Sequence, residues 1–111
     1  EFLKLDQIII NNYEPGQGIA QHIDCVPCFK DTIISVSLNS DIILDFQKKS
    51  SKEKQSILLP RRSMLIMSSL ARYDYFHGIQ KRMSDSFNNL KRARKRRVSL
   101  TFRQVILDDS K

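Results

Sequence analysis

The chain has 111 residues, 41% of them hydrophobic, and a formal net charge of +7. That length predicts one domain, 1–111, with one core, and no apolar run approaches the ~20 residues of a bilayer-spanning helix, so no membrane partner is expected. Glu1-Phe2 opens the chain without an initiator methionine, which predicts a piece of a longer protein.

The charge is uneven. Residues 1–46 hold two of the 19 basic groups and seven of the 12 acidic ones; residues 47–111 hold the other seventeen and five. This asymmetry predicts a polyanionic partner for the C-terminal half, nucleic acid first, against a plain solvated basic face. Two cysteines fall far short of a disulfide-dense framework and predict a reducing, intracellular setting, cytoplasmic or nuclear.

In chain order, Asp6–Tyr13 (DQIIINNY) is a β-branched run and reads as a strand. EPGQG (14–18) is a loop, 19–24 returns to extended structure, and CVPCFKD (25–31) is a second loop. TIISVSL (32–38) alternates and predicts a strand with one apolar face. Asn39-Ser40-Asp41 then predicts a hairpin turn into IILDFQ (42–47). KKSSKEK (48–54) reads as a hairpin tip. QSILL (55–59) and SMLIMS (63–68) are two further strands joined by Pro60-Arg61-Arg62. SLARYDY (69–75) suits one helical turn, 76–81 is extended, and MSDSFNNL (83–90) has no clear period. KRARKRR (91–97) is basic at six of seven positions, and VSLTFRQVI (98–106) is the last strand. Seven or eight short strands with little helix predict an all-β sandwich, barrel or jelly roll.

The chemistry begins at His22-Ile23-Asp24. Side chains two apart on an extended segment share a face. The second of the two histidines, His77, stands far off in Tyr75-Phe76-His77-Gly78. Two imidazoles and one carboxylate can cap one face of an octahedral metal, the donor set of non-haem Fe(II) oxygenases. Taken alone, H-x-D is a common tripeptide, and a lone His77 is more often structural. Arg97 and Arg103 lie six apart and so on one strand face, with Ser99 and Thr101 between them. A planar guanidinium there can grip a carboxylate, although from the residues alone an exposed edge strand continuing the basic run is the stronger reading.

Asn11-Asn12-Tyr13, Pro15–Gly18, His22-Ile23-Asp24, Leu59–Ser63, Arg72 with His77-Gly78, and Arg97–Arg103 together resemble the AlkB family of Fe(II)- and 2-oxoglutarate-dependent dioxygenases. The likeness runs from about residue 6 to 106 and is nearest the branch of the tRNA-modifying AlkB homologue and its small bacterial relatives. It implies an all-β double-stranded β-helix, a cupin-like jelly roll. It implies Fe(II) on His22, Asp24 and His77, with 2-oxoglutarate and dioxygen as cosubstrates. Arg97 would pair with the distal carboxylate of 2-oxoglutarate and Arg103 would lie near its other end. Asn11 and Tyr13 would hydrogen-bond the same molecule, and Ser99 would add a weaker contact.

The implied reaction hydroxylates a C–H bond while 2-oxoglutarate becomes succinate; an N-alkyl group would leave as formaldehyde. The implied substrate is an alkylated or modified base in DNA, RNA or tRNA, taken out of its stack, with Lys91–Arg97, Arg61, Arg62 and Arg72 as phosphate contacts. The family's substrate lid would precede residue 1. A monomer is expected. The rival readings are a non-catalytic basic β-domain that binds nucleic acid, or a dioxygenase with a protein or lipid substrate. Cys25 and Cys28 have no second C-x-x-C and no thioredoxin-like context, so they read as two ordinary thiols.

Overall fold

The structure, a computed structural model, describes residues 3–107; both ends of the expected 1–111 domain lie outside that range. Period-two alternation dominates the chain and produces ten strands among the described residues: β1 (Gln7–Tyr13), β2 (Ile19–His22), β3 (Ile33–Leu38), β4 (Ile42–Lys48), β5 (Lys54–Leu59), β6 (Ser63–Met67), β7 (Tyr75–Ile79), β8 (Ser84–Phe87), β9 (Leu90–Ala93) and β10 (Arg97–Arg103). The helix α1 (Ser69–Tyr73) sits just before β7 and is far too short to cross a membrane.

Two four-stranded antiparallel sheets form, ordered β1-β10-β3-β6 and β2-β7-β4-β5, with β8-β9 as a separate ribbon. The chain passes repeatedly from one sheet to the other, as in a jelly roll. This overturns one expectation. β3 and β4 are not a hairpin: β3 pairs with β10 and β6, whereas β4 pairs with β5 and β7. Asn39 is left-handed (φ 73°), a conformation asparagine tolerates, and its side-chain amide donates to the Arg96 carbonyl at 2.6 Å. The turn therefore carries the chain across to the facing sheet instead of back along the same one.

The strand total also exceeds the seven or eight expected, because MSDSFNNLKRA folds as the β8-β9 hairpin, paired from Ser84↔Ala93 to Phe87↔Leu90. Its turn is Asn88-Asn89, both left-handed (φ 50° and 64°), the backbone that tight hairpins need.

The apolar core is lopsided. Ile42, Leu44, Leu59 and Ile79 of the second sheet form its centre, with Leu65 packed on them from β6. The first sheet turns its apolar side outward. Register places Ile8, Phe102, Ile34 and Ile66 in one outer row and Ile10, Leu100, Val36 and Met64 in the next. Its inner rows include Asn11, Ser99, Ser37 and Ser63, then Ile9, Thr101, Ser35 and Leu65, with the buried pair Ile33 and Met67 beyond them. The alternation of β3 was legible, but its buried face is the serine side: Ser37 is 1% exposed. A polar wall facing the interior is what makes room for a polar ligand.

Candidate metal centre

β2 lies antiparallel to β7 with His22 directly opposite His77. Close approach is needed here. A Cβ on Gly78 would meet the Ile19 carbonyl and the Gln21 side chain, each at 2.9 Å. The strand ends at His22, and Asp24 follows in the loop, buried. Nε2 of His22 and Nε2 of His77 lie 3.3 and 3.4 Å from the same oxygen, Asp24 Oδ1. Metal bonds of about 2.1 Å meeting at right angles would separate donor atoms by about 3 Å, close to these two distances, and all three donor atoms lie within 4.8 Å of one another.

Two of the triad's remaining polar atoms are committed elsewhere. His22 Nδ1–H donates to the Ala20 carbonyl at 2.8 Å, which leaves Nε2 with its lone pair free. Asp24 Oδ2 accepts from Nε of Arg103 at 2.8 Å and lies 2.8 Å from its Nη2. Asp24 Oδ1 is buried with no hydrogen-bond partner. An orphaned carboxylate oxygen aimed between two imidazole lone pairs fits a divalent cation, and two nitrogens with one oxygen suit Fe(II).

Burial opposes ionisation of Asp24, but His22, His77 and the Arg103 charge outweigh it and hold the carboxyl far below the ordinary carboxylate range. The Asp24 carboxylate, 3.3 Å from Nε2, raises the pKa of His22 against a smaller effect of burial. A proton on His22 Nε2 occupies the metal's place. Metal affinity should therefore rise with pH through the raised titration of His22 and level off above it. Mn(II) titrations between about pH 6 and pH 8 would show this; a flat profile would contradict it.

Register with β10 carries the site inward. Asn11 is opposite Ser99 and Tyr13 opposite Arg97. These four residues and Arg103 line one cavity of about 80 Å³ with His22, Asp24 and His77. All eight expected site residues thus meet. At the far end Arg97 is 3% exposed. Its Nη2 donates to Ser37 Oγ at 2.8 Å, its Cζ lies 5.5 Å from the Tyr13 ring centroid, and its Nε has no partner. Burial pulls its pKa down, yet a guanidinium stays charged. Arg103, by contrast, holds Asp24 and Gln7 Oε1 (3.3 Å), so its reach into the cavity is limited.

Three expectations are corrected. Arg72 is no phosphate contact: it is 2% exposed and donates to four backbone carbonyls. Within Lys91–Arg97, Arg94 is buried on Asp85 (3.0 Å from each oxygen) and Arg97 belongs to the cavity. Cys25 and Cys28 are not separate thiols but a disulfide with Cα atoms 5.2 Å apart. A turn in which Cys28 N–H and Phe29 N–H both donate to the Cys25 carbonyl brings them together. Lys91, Arg92, Lys95, Arg96, Arg61 and Arg62 remain exposed. Arg61, Arg92 and Lys95 border a larger groove, about 670 Å³, between the β8-β9 ribbon and the outside of β4-β5; it contains no triad member.

The 2OG-Fe(II) oxygenase superfamily model matches residues 1–103. Uncharacterized protein L905 of Acanthamoeba polyphaga mimivirus is 43% identical over 109 residues, 97% of this chain and 52% of that protein. The tRNA (carboxymethyluridine(34)-5-O)-methyltransferase ALKBH8 of Macaca fascicularis is 48% identical over 83 residues, 75% of this chain and 12% of that protein. The solved structure of OsALKBH1 superposes with a TM-score of 0.69 over 92% of this chain and 49% of that one, at 23% identity, a likeness of fold. The chain thus spans about half of one curated relative and a smaller part of the other. With the facial triad, the jelly roll and these matches together, the chain belongs to the 2OG-Fe(II) oxygenase superfamily, on its AlkB-like branch.

Proposed function

We propose that residues 1–111 are the catalytic core of an enzyme that oxidises an alkylated or modified base in nucleic acid at the expense of 2-oxoglutarate and dioxygen. One observation carries the reading: a single cavity holds the facial triad at one end and the buried, incompletely paired Arg97 at the other. A small dicarboxylate fits between a metal and a guanidinium.

Fe(II) held by His22, Asp24 and His77 would supply the activation of dioxygen that couples conversion of 2-oxoglutarate to succinate and CO2 with hydroxylation of the substrate carbon; an N-hydroxymethyl product would then lose formaldehyde. His22, Asp24 and His77 would supply the protein ligands to that metal. Arg97 fixes the distal carboxylate, and the Tyr13 ring and Ser37 keep its guanidinium in place. Asn11, Tyr13 and Ser99 offer hydrogen bonds along the cosubstrate. Arg103 keeps Asp24 ionised and turned toward the histidines. Nucleic acid as substrate is supported by the tRNA-directed name of a relative and by the exposed cations Arg61, Arg62, Lys91, Arg92, Lys95 and Arg96, which can follow a phosphate backbone.

The test is succinate formation by anaerobically loaded Fe(II) protein once air is admitted, with and without tRNA or alkylated oligonucleotides. Nucleic acid should stimulate turnover. Its binding should weaken steeply with salt, and more gently with salt after Arg92→Glu and Lys95→Glu, which each remove a phosphate contact. Turnover indifferent to nucleic acid would redirect the reading to a protein or lipid substrate.

A further inference from the structure

Arg72 is a buried cation with no carboxylate partner among the described residues. Its guanidinium donates from Nη1 to the Asp24 carbonyl (2.8 Å), from Nη2 to the carbonyls of Cys25 (3.1 Å) and Phe29 (3.2 Å), and from Nε to that of Lys30 (3.3 Å). Those four oxygens belong to the two ends of one loop, which begins at the metal-ligand candidate Asp24 and closes at Lys30. The loop is braced on its other side too. Lys30 N–H donates to the Gln104 carbonyl, and Ile106 N–H to that of Cys28.

The position of Arg72 in the chain matters as much as its bonds. It lies on α1, five residues before His77, and α1 runs into β7, the strand that carries His77. A short, stiff path therefore joins the two ligand-bearing elements: β7, α1, the Arg72 side chain, the backbone of Asp24. Arg103 acts on the carboxylate of the same aspartate while stacking on the Phe29 ring at 4.8 Å. Two arginines thus share Asp24. One orients its side chain and the other anchors its peptide. Charge does not explain Arg72 here, because a buried cation beside a divalent metal is electrostatically unfavourable. A planar fork that reaches four carbonyls does explain it.

We propose that Arg72 is a positioning residue for the metal centre, a clamp that sets the Asp24 backbone relative to His77. The proposal rests on the metal-binding reading of the triad. Arg72 touches neither metal nor cosubstrate, and its effect passes through Asp24. Arg72→Lys keeps the charge but replaces the fork with one ammonium, which cannot span four carbonyls. Arg72→Met removes the clamp. Arg94→Met is the control: it removes another buried arginine, one that serves Asp85 and the Gln17 carbonyl instead.

The experiment measures Mn(II) affinity of each variant by titration, the melting temperature of the metal-free protein, and the visible charge-transfer band of the anaerobic Fe(II)–2-oxoglutarate complex. Expected losses of Mn(II) affinity are about 10-fold for Arg72→Lys and about 100-fold for Arg72→Met, the range seen for partners that orient metal ligands. The visible band should shift in both. Arg94→Met should melt earlier yet keep wild-type affinity and an unshifted band. Wild-type affinity in Arg72→Lys and Arg72→Met would overturn the proposal, and so would an equal loss in Arg94→Met. If Arg72→Met does not fold, Arg72→Lys decides by the same criterion. A wild-type chain that binds no Mn(II) would instead refute the metal reading itself.

Discussion

Asp24→Asn is expected to abolish metal binding while leaving the fold intact. The amide matches the carboxylate in size, and its neighbours dictate how it must sit. Arg103 brings two N–H donors to the Oδ2 side, so the amide oxygen must face Arg103. The NH2 group then faces His22 and His77, whose Nε2 atoms can accept from it. The introduced amide is then fully paired in the metal-free protein, but its N–H group points where a lone pair must be. Affinity for Mn(II) should fall by more than about 100-fold, past the range for residues that merely orient a ligand. Circular dichroism and the melting profile of the metal-free variant should stay close to wild type. Retained Mn(II) binding would remove Asp24 from the ligand set.

Arg97→Met is expected to abolish binding of 2-oxoglutarate and spare the metal. Arg97 lies at the far end of the cavity from the triad, and the described structure gives it only Ser37 and the Tyr13 ring as partners. A distal carboxylate would supply the missing anion. Losing a buried, hydrogen-bonded charge pair costs about 2–5 kcal/mol, so the dissociation constant of 2-oxoglutarate should rise ~30-fold at least and by more than about 1,000-fold at the upper end. Mn(II) affinity measured without cosubstrate should not change. Calorimetric titration of each ligand separates the two effects; unchanged 2-oxoglutarate affinity would place the carboxylate elsewhere.

Much of this site was legible in the sequence because strand geometry is periodic. Arg97, Ser99, Thr101 and Arg103 alternate with Val98, Leu100 and Phe102, and that spacing alone puts the two arginines on one face. His22, Asp24 and His77 were found from residue type and the AlkB-like motifs around them. What sequence did not show was who faces whom. The turn at Asn39 looks like any hairpin turn, and only pairing with distant strands sends β3 and β4 into different sheets. The β8-β9 hairpin carries no apolar stripe to announce it; its signal was the pair Asn88-Asn89, two residues that both tolerate the left-handed backbone. Arg72 left no local trace at all. Its partners are carbonyls 42 to 48 residues away, and carbonyls have no side-chain signature. For the same reason the basic run hid one division of labour: Arg94 is buried on Asp85 and is not part of an exposed cationic face.

The inward-facing polar wall of the β1-β10-β3-β6 sheet has a consequence for evolution and engineering. Serines, a threonine and an uncompensated guanidinium occupy positions where a sheet meant only to be stable would place valine or leucine. Buried ion-binding groups commonly lower stability relative to apolar residues of similar volume, and functional sites trade stability for activity. Arg97→Met, inactive by the argument above, should therefore melt at a higher temperature than the wild-type chain. Stability selection without a functional screen would drift toward that wall first, yielding a tougher jelly roll with no room for its cosubstrate.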